Sequence, residues 1–236
     1  MTSLTSIWPL FSLRLSTPRL ELRPLRDEDI PRYVDAALSG IHPPETMPFT
    51  FPWTDVPADE LGRGTAEHVW RTRLLSRPGD WAIALGIWFE GELVGCQDMS
   101  AKNFAVRRTV STGSWLKQAV QGRGLGNEMR TAVALYAFDH LHAVAAESDA
   151  AAWNAASLGV SASVGYVPNG VYCGEARRGE AVDMQRLRLT PGTFRRPYWA
   201  LGVEGHDAVA SFLELPSTPA DVTPTPSPAL SAEVTP

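Results

Sequence analysis

Between residues 114 and 129 the chain reads SWLKQAVQGRGLGNEM, with glycines at 122, 124 and 126. Trp115 and Leu116 close an apolar stretch that reads as a strand. Behind the glycines, Leu125, Met129, Ala132, Val133 and Tyr136 recur with the period of an amphipathic helix, expected from Gly124 to His142. A turn from strand to helix needs one glycine. Three in alternate positions remove the Cβ atoms that would keep a ligand away from the helix N-terminus, and they permit the positive φ of a cradle. A helix start has unpaired N–H groups and the positive pole of its dipole, so it attracts anions. Gln121, Gly122, Arg123, Gly124, Leu125 and Gly126 are therefore read as a pyrophosphate cradle, with Arg123 and Arg130 adding charge. On spacing alone, a turn that merely lets strand and helix pack closely remains open.

The elements around this stretch alternate. Leucine and charge alternate over residues 19–26, as in a half-buried strand, and a helix opening on acidic residues follows from Asp27. Residues 40–57 carry five prolines and three large aromatics, Phe49, Phe51 and Trp53, and read as an ordered, partly apolar lid. A second helix over 58–76 is expected to present Ala66, Val69, Trp70 and Leu74 on one face. Two apolar runs joined at Glu90–Gly91–Glu92 give a hairpin with buried strands. A strand ending at Leu116, the glycine turn and its helix, a strand over VAAES, a helix capped by Asn154 and a final strand pair complete the order. That order, β-α-α-β-β-β-α-β-α-β-β, implies an α/β (α+β) domain with one mixed sheet and helices on both faces. The expected organisation is an N-terminal extension over 1–16, the main domain over 17–192, a C-terminal helical extension over 193–215 and a disordered tail over 216–236. The tail is rich in Pro, Ser, Thr and Ala and has no aromatic residue.

Several function classes fit poorly. The formal net charge of −5 does not favour a nucleic-acid partner. The N-terminus is read as neither a signal peptide nor a membrane span, so no membrane partner and a cytoplasmic location are expected. Cys96 and Cys173 lie far apart in expected strands and read as two buried thiols in a reducing compartment. No His/Cys/Asp cluster has metal-ligand spacing, so no metal is expected. A P-loop would place Lys and Ser/Thr after the last glycine, where this chain has Asn127 and Glu128. A dinucleotide fold would place the glycines after the first strand of a parallel sheet, whereas here they follow the fourth strand and an antiparallel hairpin.

The chain resembles the GCN5-related N-acetyltransferases, the GNAT superfamily, in particular the branch of ribosomal-protein N-acetyltransferases. That branch has a Trp-Leu strand end, four residues, and a Gln/Arg-Gly-x-Gly-x-Gly/Ala loop, matched by Trp115-Leu116 and Gln121–Gly126. Its next helix starts Asn-x-x-Ser/Ala and leads to a Gly-Phe or Gly-Tyr pair, matched by Asn154, Ser157 and Gly165-Tyr166. The likeness runs over about residues 17–190. It implies a mostly antiparallel mixed sheet, splayed between its fourth and fifth strands, with acetyl-CoA as cosubstrate lying in the splay. Trp115, Leu116, the loop Gln121–Gly126 and Asn154 would hold it, with the Leu116 N–H at the thioester carbonyl.

The implied activity is acetyl transfer to a primary amine by direct attack, the acceptor being a protein N-terminus, an amino acid or a small-molecule amine. A homodimer is compatible with the family. Many members use a tyrosine seven residues after the Asn as acid; here that position is Ser161, so Ser157 is the candidate catalytic hydroxyl for the departing sulfur. Glu147 is the first candidate base and Asp98, in an otherwise apolar strand, the second. His42 and Glu45 in the lid are candidates to meet the acceptor, whereas His68, His140 and His142 are read as surface or satisfied helical histidines. Alternatives kept open are a CoA-binding module without catalysis, a different acyl-CoA donor, and a loop serving ATP or NAD.

Overall fold

The computed structural model describes residues 2–215. The expected tail over 216–236 lies outside them. One sheet of nine strands runs in the order β7-β8-β6-β5-β4-β3-β2-β1-β9. Its centre is the hairpin of β3 (Trp81–Phe89) and β4 (Glu92–Ala101), joined through Glu90 and Gly91. Both turn residues have positive φ, 52° and 82°, which matches the right-handed twist of a tight hairpin. β2 (Leu20–Pro24) flanks β3, and β5 (Thr109–Leu116) flanks β4. Beyond β5 lie β6 (Ala145–Ala151), β8 (Glu180–Leu189) and the edge strand β7 (Val167–Arg177).

Alternation along the central strands explains why both runs read as continuously apolar. Ile83, Leu85 and Ile87 of β3 face a core shared with Leu125, Met129 and Val133 of helix α5 (Leu125–Leu135). Ala84 and Trp88 face the opposite side, where α2 (Ile30–Leu38) contributes Tyr33 and Ala36 and α3 (Ala58–Leu74) contributes Val69. Two buried faces leave no polar alternation in the sequence. α5 continues through a π turn over Tyr136–His140, and α6 (Ala155–Val164) packs beside it.

Three expectations need correcting. The buried stripe of α3 is Leu61, Thr65, Ala66 and Val69, while Trp70 and Leu74 are exposed. The helix lies on its 61–65–69 row, and the row through 70 and 74 turns outward. Cys96 is buried, but Cys173 is exposed, because β7 is an edge strand with an open face. The sheet also reaches into both segments expected as extensions. β1 (Arg14–Ser16) pairs with β2, and β9 (Gly202–Glu204) pairs with β1 before the short helix α7 (His206–Phe212). Three-residue strands are too short to carry a readable alternation.

The entry to β2 is tied to the start of α5. The buried Glu128 carboxylate accepts from Thr17 Oγ1 at 2.6 Å, from the Arg19 backbone N–H at 3.0 Å and from Arg19 Nε at 2.6 Å. Arg19 Nη1 also donates to the Arg123 carbonyl at 3.0 Å, inside the glycine stretch. Replacing Glu128 by Ala should lower the unfolding free energy by about 1–3 kcal/mol, since it removes a buried carboxylate together with its three hydrogen bonds to Thr17 and Arg19. Gln should recover part of the loss. Urea unfolding measures both, and a change in Glu128→Ala below about 0.5 kcal/mol would refute the anchor.

Candidate functional site

The sheet opens where β5 meets β6. This one parallel pairing joins Thr109 to Ala145, Val110 to Ala146 and Ser111 to Glu147, then stops. β5 continues on β4 as far as Leu116, and β6 continues on β8 as far as Ala151, so the two strands diverge. Lys117 N–H donates to the Val94 carbonyl at 2.9 Å, and the alternation of an antiparallel ladder then turns the Leu116 N–H toward the gap. Gln121 holds that strand end: its Nε2 donates to the Leu116 carbonyl and to the Ile41 carbonyl, each at 2.8 Å.

A cleft of about 910 Å³ runs through the gap. At one end it meets the start of α5. Gln121, Gly122, Gly124 and Gly126 line it there. Gly122 and Gly124 have φ of 73° and 80°, in the left-handed region, whereas Gly126 is helical and a Cβ on it would come no nearer than 3.7 Å to Val160. Two glycines therefore shape the turn and the third keeps the first helical turn bare. Leu125 is buried in the core, and the Arg123 guanidinium lies 4.6 Å from the Phe89 ring centroid. Neither side chain lines the cleft, and the Arg123 guanidinium rests on Phe89 rather than over the glycine turn.

On the far side of the gap, Asn154 caps α6 by accepting from the Ser157 N–H at 3.0 Å. Arg130, one turn into α5, does not reach back to the glycines. Its Nη2 donates to Ser157 Oγ at 2.9 Å, its Nη1 to Ser161 Oγ at 2.5 Å, and its Nε to Ser114 Oγ at 3.3 Å. Ser161, at the position of the missing tyrosine, is fully buried and holds this arginine. Gly165, with φ of 109°, ends α6 where a Cβ would stand 2.1 Å from the Thr193 carbonyl oxygen. It turns the chain so that Tyr166 OH lies 3.4 Å from Thr112 Oγ1, at the fork of the strands. Burial raises the Tyr166 phenol, which stays protonated.

Glu147 is not brought to the cleft. Its carboxylate accepts from Arg188 Nη1 of the neighbouring β8 at 2.5 Å, and it does not line the cavity. The candidate base lies instead on the opposite wall, where His68 Nε2 is 3.0 Å from Asp98 Oδ2 and both residues line the cleft. The hydrogen bond to Asp98 raises the His68 pKa against the opposing effect of burial. Cys96 Sγ donates to the other Asp98 oxygen at 3.3 Å. Burial, and then the Asp98 carboxylate, hold that thiol well above its usual range, so it is no nucleophile. His68 is a satisfied histidine, as expected, but helical spacing alone does not say that its partner is a carboxylate on the cleft wall. Asp98 shares the face of Cys96, and Cys96 packs with Val69 of α3, so strand alternation could have paired the two.

Around this pair the wall is aromatic. Tyr33 stacks on Trp115 at 5.3 Å, Trp53 lies 6.0 Å from Trp115, and Phe49 lies 5.1 Å from Trp53. The lid that supplies Phe49 and Trp53 is braced by His42, whose Nε2 is 2.7 Å from Thr54 Oγ1. His42 lines the cleft and Glu45 does not. Arg177 of β7 pairs with Asp55 and donates to the Pro44 carbonyl at 2.8 Å, joining the lid to the β7–β8 hairpin. Among the described residues there is no group of three or more His, Cys, Asp and Glu that could hold a metal, and no helix long and apolar enough to cross a membrane.

Comparison with known proteins adds to this geometry. The model of an acetyltransferase (GNAT) domain matches residues 19–167, well over half of the chain. Among solved structures, a RimL ribosomal L7/L12 alpha-N-protein acetyltransferase in complex with coenzyme A is similar with a TM-score of 0.63 and 19% identity, over 74% of this chain and 95% of that one. RimJ of Mycobacterium smegmatis, in complex with CoA-disulfide, is similar with a TM-score of 0.61 and 17% identity, over 86% and 95%. At these identities the structures establish the fold.

The bare helix start offers a direct test. Gly126→Asp places a carboxylate in the first turn, where the helix dipole favours it and the backbone is unstrained. The melting temperature should hold or rise, while affinity for CoA measured by calorimetry should fall roughly tenfold or more through repulsion of its pyrophosphate. Unchanged CoA affinity would remove the anion from this helix end.

Proposed function

The chain belongs to the GNAT acetyltransferase family and is an acetyl-CoA-dependent acyltransferase; from that premise we propose that it acetylates a primary amine, with the His68–Asp98 pair receiving the proton. The carrying observation is the placement of that pair on the wall of the same cleft that reaches the start of α5 through the opened strands. The acetyl donor would lie with its phosphates at residues 121–126 and its amide-bearing arm along the free edge of β5, whose unpaired backbone groups can satisfy it. The Leu116 N–H would meet the thioester carbonyl and stabilise the oxyanion.

The amine must arrive neutral. His68 in its unprotonated form accepts the proton released as nitrogen bonds to the carbonyl carbon, and Asp98 orients the ring and stabilises the imidazolium. The C–S bond then breaks, and sulfur leaves with the electron pair as a thiolate beside Ser157. Tyr33, Phe49, Trp53 and Trp115 support an acceptor whose amine is carried on an apolar or aromatic group, either a small molecule or the first residue of a polypeptide.

A panel of aromatic, aliphatic and peptide amines, followed by release of free thiol, tests the reading. CoA binding without turnover on any of them would leave a CoA-binding module. The pH profile tests the base. Because Asp98 raises His68 above an ordinary histidine of about 6.5, kcat/KM should rise with pH through an inflection above that value. Asp98→Asn removes the anionic partner, so the inflection should move to lower pH and the plateau should drop about tenfold or more. The limb due to the free amine stays in place. An inflection that ignores both Asp98→Asn and His68→Gln would exclude this pair as the base.

A further inference from the structure

Arg130 is a cation without an anion. Among the described residues no carboxylate lies within ion-pair distance of it, and its hydrogen bonds go to the hydroxyls of Ser114, Ser157 and Ser161 and, at 3.3 Å, to the Ser157 carbonyl. It nevertheless lines the cleft and bridges its two sides, from Ser114 on the diverging half of β5 to Ser157 on α6. A guanidinium partly withdrawn from water without a counter-charge is well placed to take a negative charge that arrives beside it in the cleft. The cradle at Gly122–Gly126 does not use it, and Glu128, the nearest acid along the helix, is occupied by Arg19.

Its effect on Ser157 is directional. Arg130 Nη2 fills an acceptor site of Ser157 Oγ at 2.9 Å. The neighbouring Ser161 hydroxyl donates to the Ser157 carbonyl at 2.9 Å, fixing the same turn of α6. Ser157 lines the cleft, and a serine oxygen that already accepts from a cation is a stronger donor through its own hydrogen.

We propose that Arg130 is a positioning residue for thiolate departure: it orients and polarises the Ser157 hydroxyl and supplies the positive field in which coenzyme A leaves as its thiolate. This rests on the reading that Ser157 faces the sulfur. No proton need pass from Ser157. The C–S electron pair stays on sulfur, the hydroxyl hydrogen-bonds to it, and the proton lost by the amine goes to His68 and then to solvent. Ser161, which stands where a tyrosine acid is common in this family, serves the device by holding Arg130.

The test needs no acceptor and so separates this proposal from the acceptor reading. Bound coenzyme A is titrated with pH, and its thiolate is followed by difference absorbance near roughly 240 nm, with free CoA titrated alongside as the reference. In the wild type the bound thiol should ionise about one pH unit lower than free CoA, as beside any fixed cation. Arg130→Gln, which keeps a donor but removes the charge, should return it to the free value or above, and Arg130→Lys should keep most of the shift. Ser157→Ala should lose part, and adding Arg130→Gln to it should cost less than Arg130→Gln costs alone, the coupling expected if one acts through the other. With an amine that turns over, Arg130→Gln should lower kcat tenfold or more while the dissociation constant for acetyl-CoA stays within about threefold. A bound thiol that titrates at or above the free value in the wild type overturns the proposal. So does an Arg130→Gln variant that leaves the shift intact, or one that loses CoA affinity and melting temperature together with kcat unaffected.

Discussion

The parallel pairing of β5 with β6 lasts only from Thr109 to Ser111, and the arrangement of the site follows from where it stops. Backbone groups in the middle of a sheet are ordinarily all paired, and leaving them unpaired and dry is costly. Here the cost is confined to one wedge, because β4 and β8 keep full ladders with the outer edges of the two diverging strands. At the fork stand Thr112 and the buried Tyr166, with hydroxyls 3.4 Å apart. The wedge is thus a gap in the pairing, bordered on both sides by full ladders, into which an amide-bearing ligand can fit as a strand would.

Much of this was legible. Three glycines ahead of an amphipathic helix, and the Asn154, Ser157 and Gly165–Tyr166 series behind it, carry both the fold and the cleft's location, since each residue type answers a backbone requirement. Gly165 would collide with Thr193 if it had a side chain, and Asn154 is a cap. What sequence could not carry was the partnership of side chains distant along the chain. Glu147 has the right chemistry in the right strand, yet pairs with Arg188 across a ladder whose register no spacing reveals. Arg123 looked like part of the cradle because it is flanked by glycines, but the same freedom lets it turn onto Phe89. His68 looked idle until β4 set Asp98 opposite it.

The two sides of the cleft carry opposite charge, and that separation suits the proposed reaction. Toward α3, the Asp98 carboxylate favours a protonated imidazole, so positive charge released from an attacking amine has somewhere to go. Toward α6, Arg130 and the opening of α5 favour negative charge, both that of phosphates and that forming on sulfur. An aromatic wall of Tyr33, Trp53 and Trp115 lines the cleft between them. A covalent route through Cys96 is closed by the same environment, because burial and Asp98 keep its thiol protonated.

The lid ties these functions to one another. Residues 40–57 have little regular structure, and side-chain ties add to their few backbone bonds and apolar packing: His42 to Thr54, Arg177 to Asp55 and to the Pro44 carbonyl, and Gln121 to the Ile41 carbonyl. The last of these ties is made by the same amide nitrogen that donates to the Leu116 carbonyl. A single side chain therefore joins the lid's first residues to the strand end at the cleft and stands at the head of the glycine turn. The proline-rich loop can stay irregular because its conformation is fixed by the cleft it covers rather than by its own backbone.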